Sequence, residues 1–144
     1  MILLPIHTEF VEKIKDGSKR FEFRKRIPSK LHEGDFIAIY CTRPICKIVG
    51  YFEVGRVLSG HPREVWTQTF RFAGIDKSVF DSYFFGHLTA YALGIQQIHW
   101  LSEPISLFCL RKSAFVPQSF LYLNSEQAKK IVSMPEQMPC KRSV

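Results

Sequence analysis

The chain has no Gly-rich phosphate loop of the P-loop or dinucleotide-binding type, which excludes the usual routes to ATP or NAD. Its four cysteines, Cys41, Cys46, Cys109 and Cys140, form no Cys-x-x-Cys pair, and no histidine follows them at zinc-finger spacing. Neither a metal centre nor a disulfide framework is therefore expected. Cys41 and Cys109 sit in apolar runs, where a cysteine serves as a small buried hydrophobe. No apolar run approaches the ~20 residues that cross a bilayer. The opening segment Met1–Ile6 is too short for a signal-peptide core and lacks a basic lead. These absences describe a cytoplasmic protein with no membrane partner and no cofactor. Heptads, internal repeats and linkers are also missing.

Acids are scarce: 13 Asp and Glu stand against 20 Lys and Arg, a net charge of +7. That excess favours an anionic partner through diffuse attraction and counterion release. Apolar residues are plentiful at 46%, with 13 phenylalanines, so 144 residues can bury the core of one domain. Most phenylalanines, with Trp66 and Trp100, read as core.

The informative stretch is Gly17-Ser18-Lys19-Arg20-Phe21-Glu22-Phe23-Arg24. Before it, Thr8 is placed as an N-cap, Glu9 suits the positive end of a helix, and Phe10, Val11 and Ile14 share a face. Gly17 is placed to end that helix in the left-handed conformation. An alternating strand over residues 20–25 follows, with Phe21 and Phe23 on one side and Arg20, Glu22, Arg24 and Arg26 on the other. Lys19 has the wrong parity for the Glu22 face but lies at the turn, where alternation need not yet hold. Lysine brings a mobile charge with three donors, arginine a planar fork, and glutamate an acceptor or base. The trio suits a polar, anionic ligand and, in some settings, proton transfer. The same pattern is also that of a solvated salt-bridge cluster.

Further strands are expected at residues 2–6, 35–42, 46–58, 87–100 and 105–110. Glycines at 50, 55 and 94 are placed to bend them. Helices are expected at residues 62–72 and 76–85, with Asp76 as an N-cap, and near 125–132, with Ser125 as one. His61 and His87 read as cap or surface residues. The fold class is α+β: a small mixed β-barrel of about six strands with two or three flanking helices. The barrel domain is expected over residues 1–110. A C-terminal helical extension over residues 111–144 packs on it and frays at its end.

The spacing G-x-K-x-x-E-x-R, filled by Gly17, Lys19, Glu22 and Arg24, resembles the signature of the ASCH domain family, which belongs to the PUA-like β-barrels. The context agrees in order: Ile39-Tyr40-Cys41-Thr42-Arg43-Pro44, the strand Val49 to Val57, Tyr83-Phe84-Phe85-Gly86, and Glu103-Pro104-Ile105. The stretch Pro117–Leu123 is similar to an extension found in a subset of the family. The resemblance implies RNA, or a modified nucleobase or nucleotide, as partner. Some members are amidohydrolases that remove an acyl group from the exocyclic amine of cytidine, and some relatives are assigned ribonuclease activity. The amidohydrolase type joins its lysine to a threonine, at the position Glu22 holds here, and to a glutamate of the helical block. Between His61 and Gly74 this chain offers only Glu64.

Two roles follow for the trio. Lys19, Glu22 and Arg24 bind the ligand, or Lys19 and Glu22 are catalytic in a hydrolase acting on N-acylated nucleosides or RNA. A third reading is a protein-interaction domain. Tyr40, Thr42 and Arg43 end the neighbouring strand and would line the same cleft; alternatively Tyr40 is core and Arg43 solvated. Gln118 and Ser119 would reach the cleft if Pro117 and Phe120 pin the tail. Arg20, Lys25, Arg26 and Lys30 form a basic flank able to steer nucleic acid.

Overall fold

The computed structural model describes residues 1–113 and 118–138. The elements run β1 (Ile2–Ile6), α1 (Thr8–Asp16), β2 (Phe21–Arg24), β3 (Phe36–Cys41), β4 (Lys47–Gly60) and α2 (Pro62–Thr69). A 3-10 turn (Phe70–Phe72), α3 (Lys77–Phe84), β5 (Ala90–Ile105), α4 (Leu107–Arg111), β6 (Leu121–Tyr122) and α5 (Ser125–Val132) complete them.

The six strands form one sheet in the order β2-β5-β4-β3-β1-β6. Only β1 and β3 run parallel, because α1 and β2 separate them in the chain. The long strands β4 and β5 slip register between Ile48 and Gly50 and again between Val54 and Val57. Such slips add local twist, and the sheet curls into a half-barrel as the glycines at 50 and 55 suggest. Alternation along β3 sends Ile37, Ile39 and Cys41 into one core cluster, with Val11 and Ile14 of α1. Ala38 and Tyr40 enter another, on the opposite face, with Leu3, Ile48 and Tyr51. A third cluster joins Phe23 to Val65, Phe80 and Phe84 of α2 and α3.

Several expectations change. Residues 105–110 are not the sixth strand: β5 runs on to Ile105, and Ser106 then caps α4, its hydroxyl accepting from the Cys109 amide at 3.2 Å. The sixth strand is β6, in the tail, paired antiparallel with Ile2 and Leu3. Cys109 is consequently exposed on a helix, whereas Cys41 is buried as expected. His7, not Thr8, is the N-cap of α1. The Thr8 hydroxyl instead donates to the Arg43 carbonyl at 2.9 Å, tying the helix to the end of β3. Asn124 rather than Ser125 caps α5, in a capping box with Gln127. Asp76 does precede α3, but its side chain makes no capping bond. His61 caps α2 through its ring nitrogen. Several phenylalanines read as core, among them Phe70, Phe72 and Phe85, are exposed.

Candidate nucleotide site

Gly17 ends α1 with φ 85°, a left-handed turn that glycine takes without steric cost. The turn delivers Lys19 inward rather than to solvent. Lys19 forms an isolated bridge with Ala73, and its Nζ donates to the Ala73 carbonyl at 3.1 Å. A Cβ on Gly74 would lie 2.4 Å from the Lys19 Cβ, so a bare glycine there (φ 67°) is what lets the lysine pack. The ammonium lies 4.8 Å from the Phe23 ring centre and 5.3 Å from that of Phe10. Only 3% of Lys19 is exposed. Burial pushes its pKa below the usual lysine value, partly opposed by the nearby Glu22 carboxylate.

Glu22 and Arg24 stand on β2 opposite Leu93 and Tyr91 of β5. The strand parity is the expected one, but the face is not solvated: Glu22 is 6% exposed and Arg24 9%. Glu22 Oε1 lies 3.5 Å from Arg24 Nη1. Its other oxygen, Oε2, is buried with no partner among the described residues. The Arg24 fork is largely committed elsewhere. Nη1 donates to the Pro5 carbonyl at 3.3 Å, and Nη2 donates to the Ser119 carbonyl. Arg24 thereby fastens the tail to the sheet.

These residues border a hollow of about 530 Å³. Its wall includes Lys19, Glu22, Phe23, Arg24, Thr42 and Gln118, so the trio converges as the spacing proposed, joined by one residue of β3's end and one of the tail. The other candidate residues do not line it. Tyr40 is buried on the opposite face of the sheet, and burial, with Cys46 beside it, raises its phenol pKa. Arg43 is exposed and enters the local structure through its carbonyl. Ser119 is exposed and supplies the carbonyl that Arg24 holds. Phe120 packs on the first core cluster, while Pro117 falls outside the described residues, as does Cys140. Arg20, Lys25 and Arg26 are exposed around β2, but Lys30 lies on the wall of a different hollow.

His7, Glu9 and Phe10, from the β1–α1 junction, also line the hollow, as do Ile75, Val79 and Tyr83 near and on α3. Sequence reasoning missed these. One signal was available: His7 and Thr42 follow the C-terminal ends of the two parallel strands, where ligand crevices open in parallel sheets. The Thr42 hydroxyl and His7 Nδ1 are 3.4 Å apart. Burial raises the Tyr83 phenol pKa, with Arg24 pulling it down and Glu22 pushing it up.

Among the described residues no group of His, Cys, Asp and Glu could hold a metal ion, and no helix is long and apolar enough to cross a membrane.

A family model for the ASCH domain matches residues 4–131. The chain belongs to the ASCH domain family. A Zymomonas mobilis protein named an ASCH domain-containing ribonuclease is 30% identical over 139 residues, covering 94% of this chain and 93% of the relative. The crystal structure of ASCH from Zymomonas mobilis superposes with a TM-score of 0.84 at 29% identity, covering 92% of this chain and 93% of that one. The N-terminal domain of Staphylothermus marinus McrB gives 0.61 at 12% identity, covering 92% of each chain, a likeness of fold alone. The expected small mixed β-barrel is realised as a six-stranded sheet curled into a half-barrel, the architecture of these ASCH relatives.

Proposed function

We propose that this ASCH domain binds RNA and takes one nucleotide of it into the hollow around Lys19 and Glu22. One observation carries the reading: Glu22 lies on the wall of that hollow, and one of its carboxylate oxygens is buried with no partner among the described residues. Buried acceptors are normally satisfied, and leaving one unmet is costly. A nucleobase N–H or a ribose hydroxyl supplies the missing donor. Beside it Lys19 donates to a base carbonyl or phosphate oxygen, Phe10 and Tyr83 offer apolar and aromatic wall, and Thr42 and Gln118 offer adjustable hydrogen bonds. The net charge of +7, with Arg20, Lys25 and Arg26 exposed around β2, draws the polyanion in. Arg24 acts by holding Glu22 and the tail, more than by gripping phosphate.

The test is fluorescence anisotropy of a labelled oligoribonucleotide against added salt. Affinity should fall as salt rises, and Glu22→Gln, which replaces a carboxylate by an amide, should weaken it by about 10- to 100-fold. Full affinity in Glu22→Gln would sink the reading.

Cleavage of RNA is the second reading, favoured by the name of the Zymomonas mobilis relative and by the lowered lysine pKa. A larger neutral fraction lets Lys19, with Glu22 beside it, take a proton from an attacking hydroxyl or water. The strand would then be cut in chelator-treated buffer and left intact by Lys19→Ala. Binding without any product would leave the first reading alone. The same assay run on an N-acylated cytidine separates the amidohydrolase alternative.

A further inference from the structure

At the rim of the hollow and beyond it, three aromatic rings are exposed to water. Phe70 is 50% exposed, Phe72 41% and Tyr83 36%. All three belong to the helical block between β4 and β5. Each carries a cation near its ring. The Arg20 guanidinium lies 4.2 Å from the Phe72 ring centre, the Lys25 ammonium 4.5 Å from that of Tyr83, and the Arg71 guanidinium 5.8 Å from that of Phe70. Arg20 and Lys25 come from outside the block. They sit immediately before and after β2, so the edge strand holds a cation at each end. Five residues of extended chain span about 16 Å, a length of several stacked bases at about 3.4 Å each. Val79 and Tyr83 are exposed and also line the hollow, so the two surfaces are continuous.

We propose that this strip is a second binding element, a track for the nucleotides that flank the one held in the hollow. The proposal rests on the RNA-binding reading. Ring faces and guanidinium planes stack unpaired bases whatever their identity, and the same cations neutralise the adjoining phosphates. The acids of the block do not cancel this charge: Asp81 is paired with Lys77 at 2.6 Å, and Glu64 and Asp76 sit at the starts of α2 and α3. Three rings each accompanied by a cation match a polyanion with flat bases, and that pairing is the ground for choosing a nucleic-acid strand as the occupant.

The experiment compares a single-stranded oligoribonucleotide of twelve residues, followed by anisotropy, with the four nucleoside monophosphates, followed by calorimetry. Phe72→Ala and, separately, Arg71→Ala should each weaken the oligomer by roughly 5- to 50-fold and leave monophosphate binding within about twofold. Oligomer affinity unchanged in both variants, while Glu22→Gln lowers it, overturns the strip and spares the hollow. Equal loss for oligomer and monophosphate also overturns it, since the strip touches only flanking nucleotides. Failure of the unaltered protein to bind either probe defeats the RNA reading and the strip together.

Discussion

Two hollows in this molecule differ in a way that size does not report. The larger, about 770 Å³, lies where Met1, Ile2, Gly34, Asp35 and Phe36 meet the C-terminal helix α5. Its charged residues, Lys30 and Lys129, are exposed, and Asp35 already accepts from the His32 amide at 2.8 Å. The smaller, about 530 Å³, is bordered by three buried charged residues, Lys19, Glu22 and Arg24, one of them with an unmet oxygen. Burying charge is expensive unless it is paired, and it is at the smaller hollow that we propose a ligand offsets that cost. The roomier hollow has no such debt among its described residues.

The contrast can be broken experimentally, and the largest effect belongs to Arg24. Arg24→Ala strips the buried Glu22 carboxylate of its ion-pair partner and releases Ser119, so it should cost about 3–5 kcal/mol in urea unfolding. Lys129→Ala, on the wall of the larger hollow, should stay within about 0.5 kcal/mol. Equal costs would erase the distinction.

Binding comes next. Glu22→Gln should reduce RNA affinity by about 10- to 100-fold, while Lys30→Ala should change it by no more than about threefold, the share of one surface charge. A reversed order would move the site to the larger hollow.

A smaller effect sharpens the capping assignment at α5, whose residues Ala128 and Val132 wall the larger hollow. Asn124→Ala removes the capping box and should cost about 1 kcal/mol by thermal unfolding. Ser125→Ala, one position inside the helix, should be nearly silent.

The last prediction concerns pH. Lys19 has a folded pKa below its unfolded value, so between the two the unfolded chain holds more protons and stability rises with pH. Below the folded pKa both states are charged and the full burial cost is present; above the unfolded pKa both are neutral and it is gone. The stability of the natural protein relative to Lys19→Met should therefore climb as pH is raised above neutrality towards the ordinary lysine range. A flat or falling difference would place the ammonium in water.

Much of the curled sheet was readable because its signals are local. Gly17 took the left-handed turn, the alternation of β2 held, and Gly50 and Gly55 sat at register slips. Residues 105–110 misled because a short apolar run carries no period long enough to separate strand from helix; Ser106 capping Cys109 decided it. Phe70 and Phe72 read as core from hydrophobicity and the helical spacing of residues 62–72, but they occupy a single 3-10 turn, too short to turn every ring inward. A position near a strand end leaves Tyr40 open to either the cleft or the core. Parity within β3 sends it through the sheet to the other core.

The order of residues by itself determined that Lys19, Glu22 and Arg24 would be close, because a glycine-ended helix followed at once by a strand leaves few places for them. It also determined the excess of positive charge. Tertiary structure decided that this trio is buried rather than washed by solvent. The helical block roofs it from one side through Ala73 and Tyr83, and the tail reaches it from another through Gln118 and Ser119. Burial depends on residues that arrive about fifty and a hundred positions later in the chain, and only their packing withdraws water from a charge.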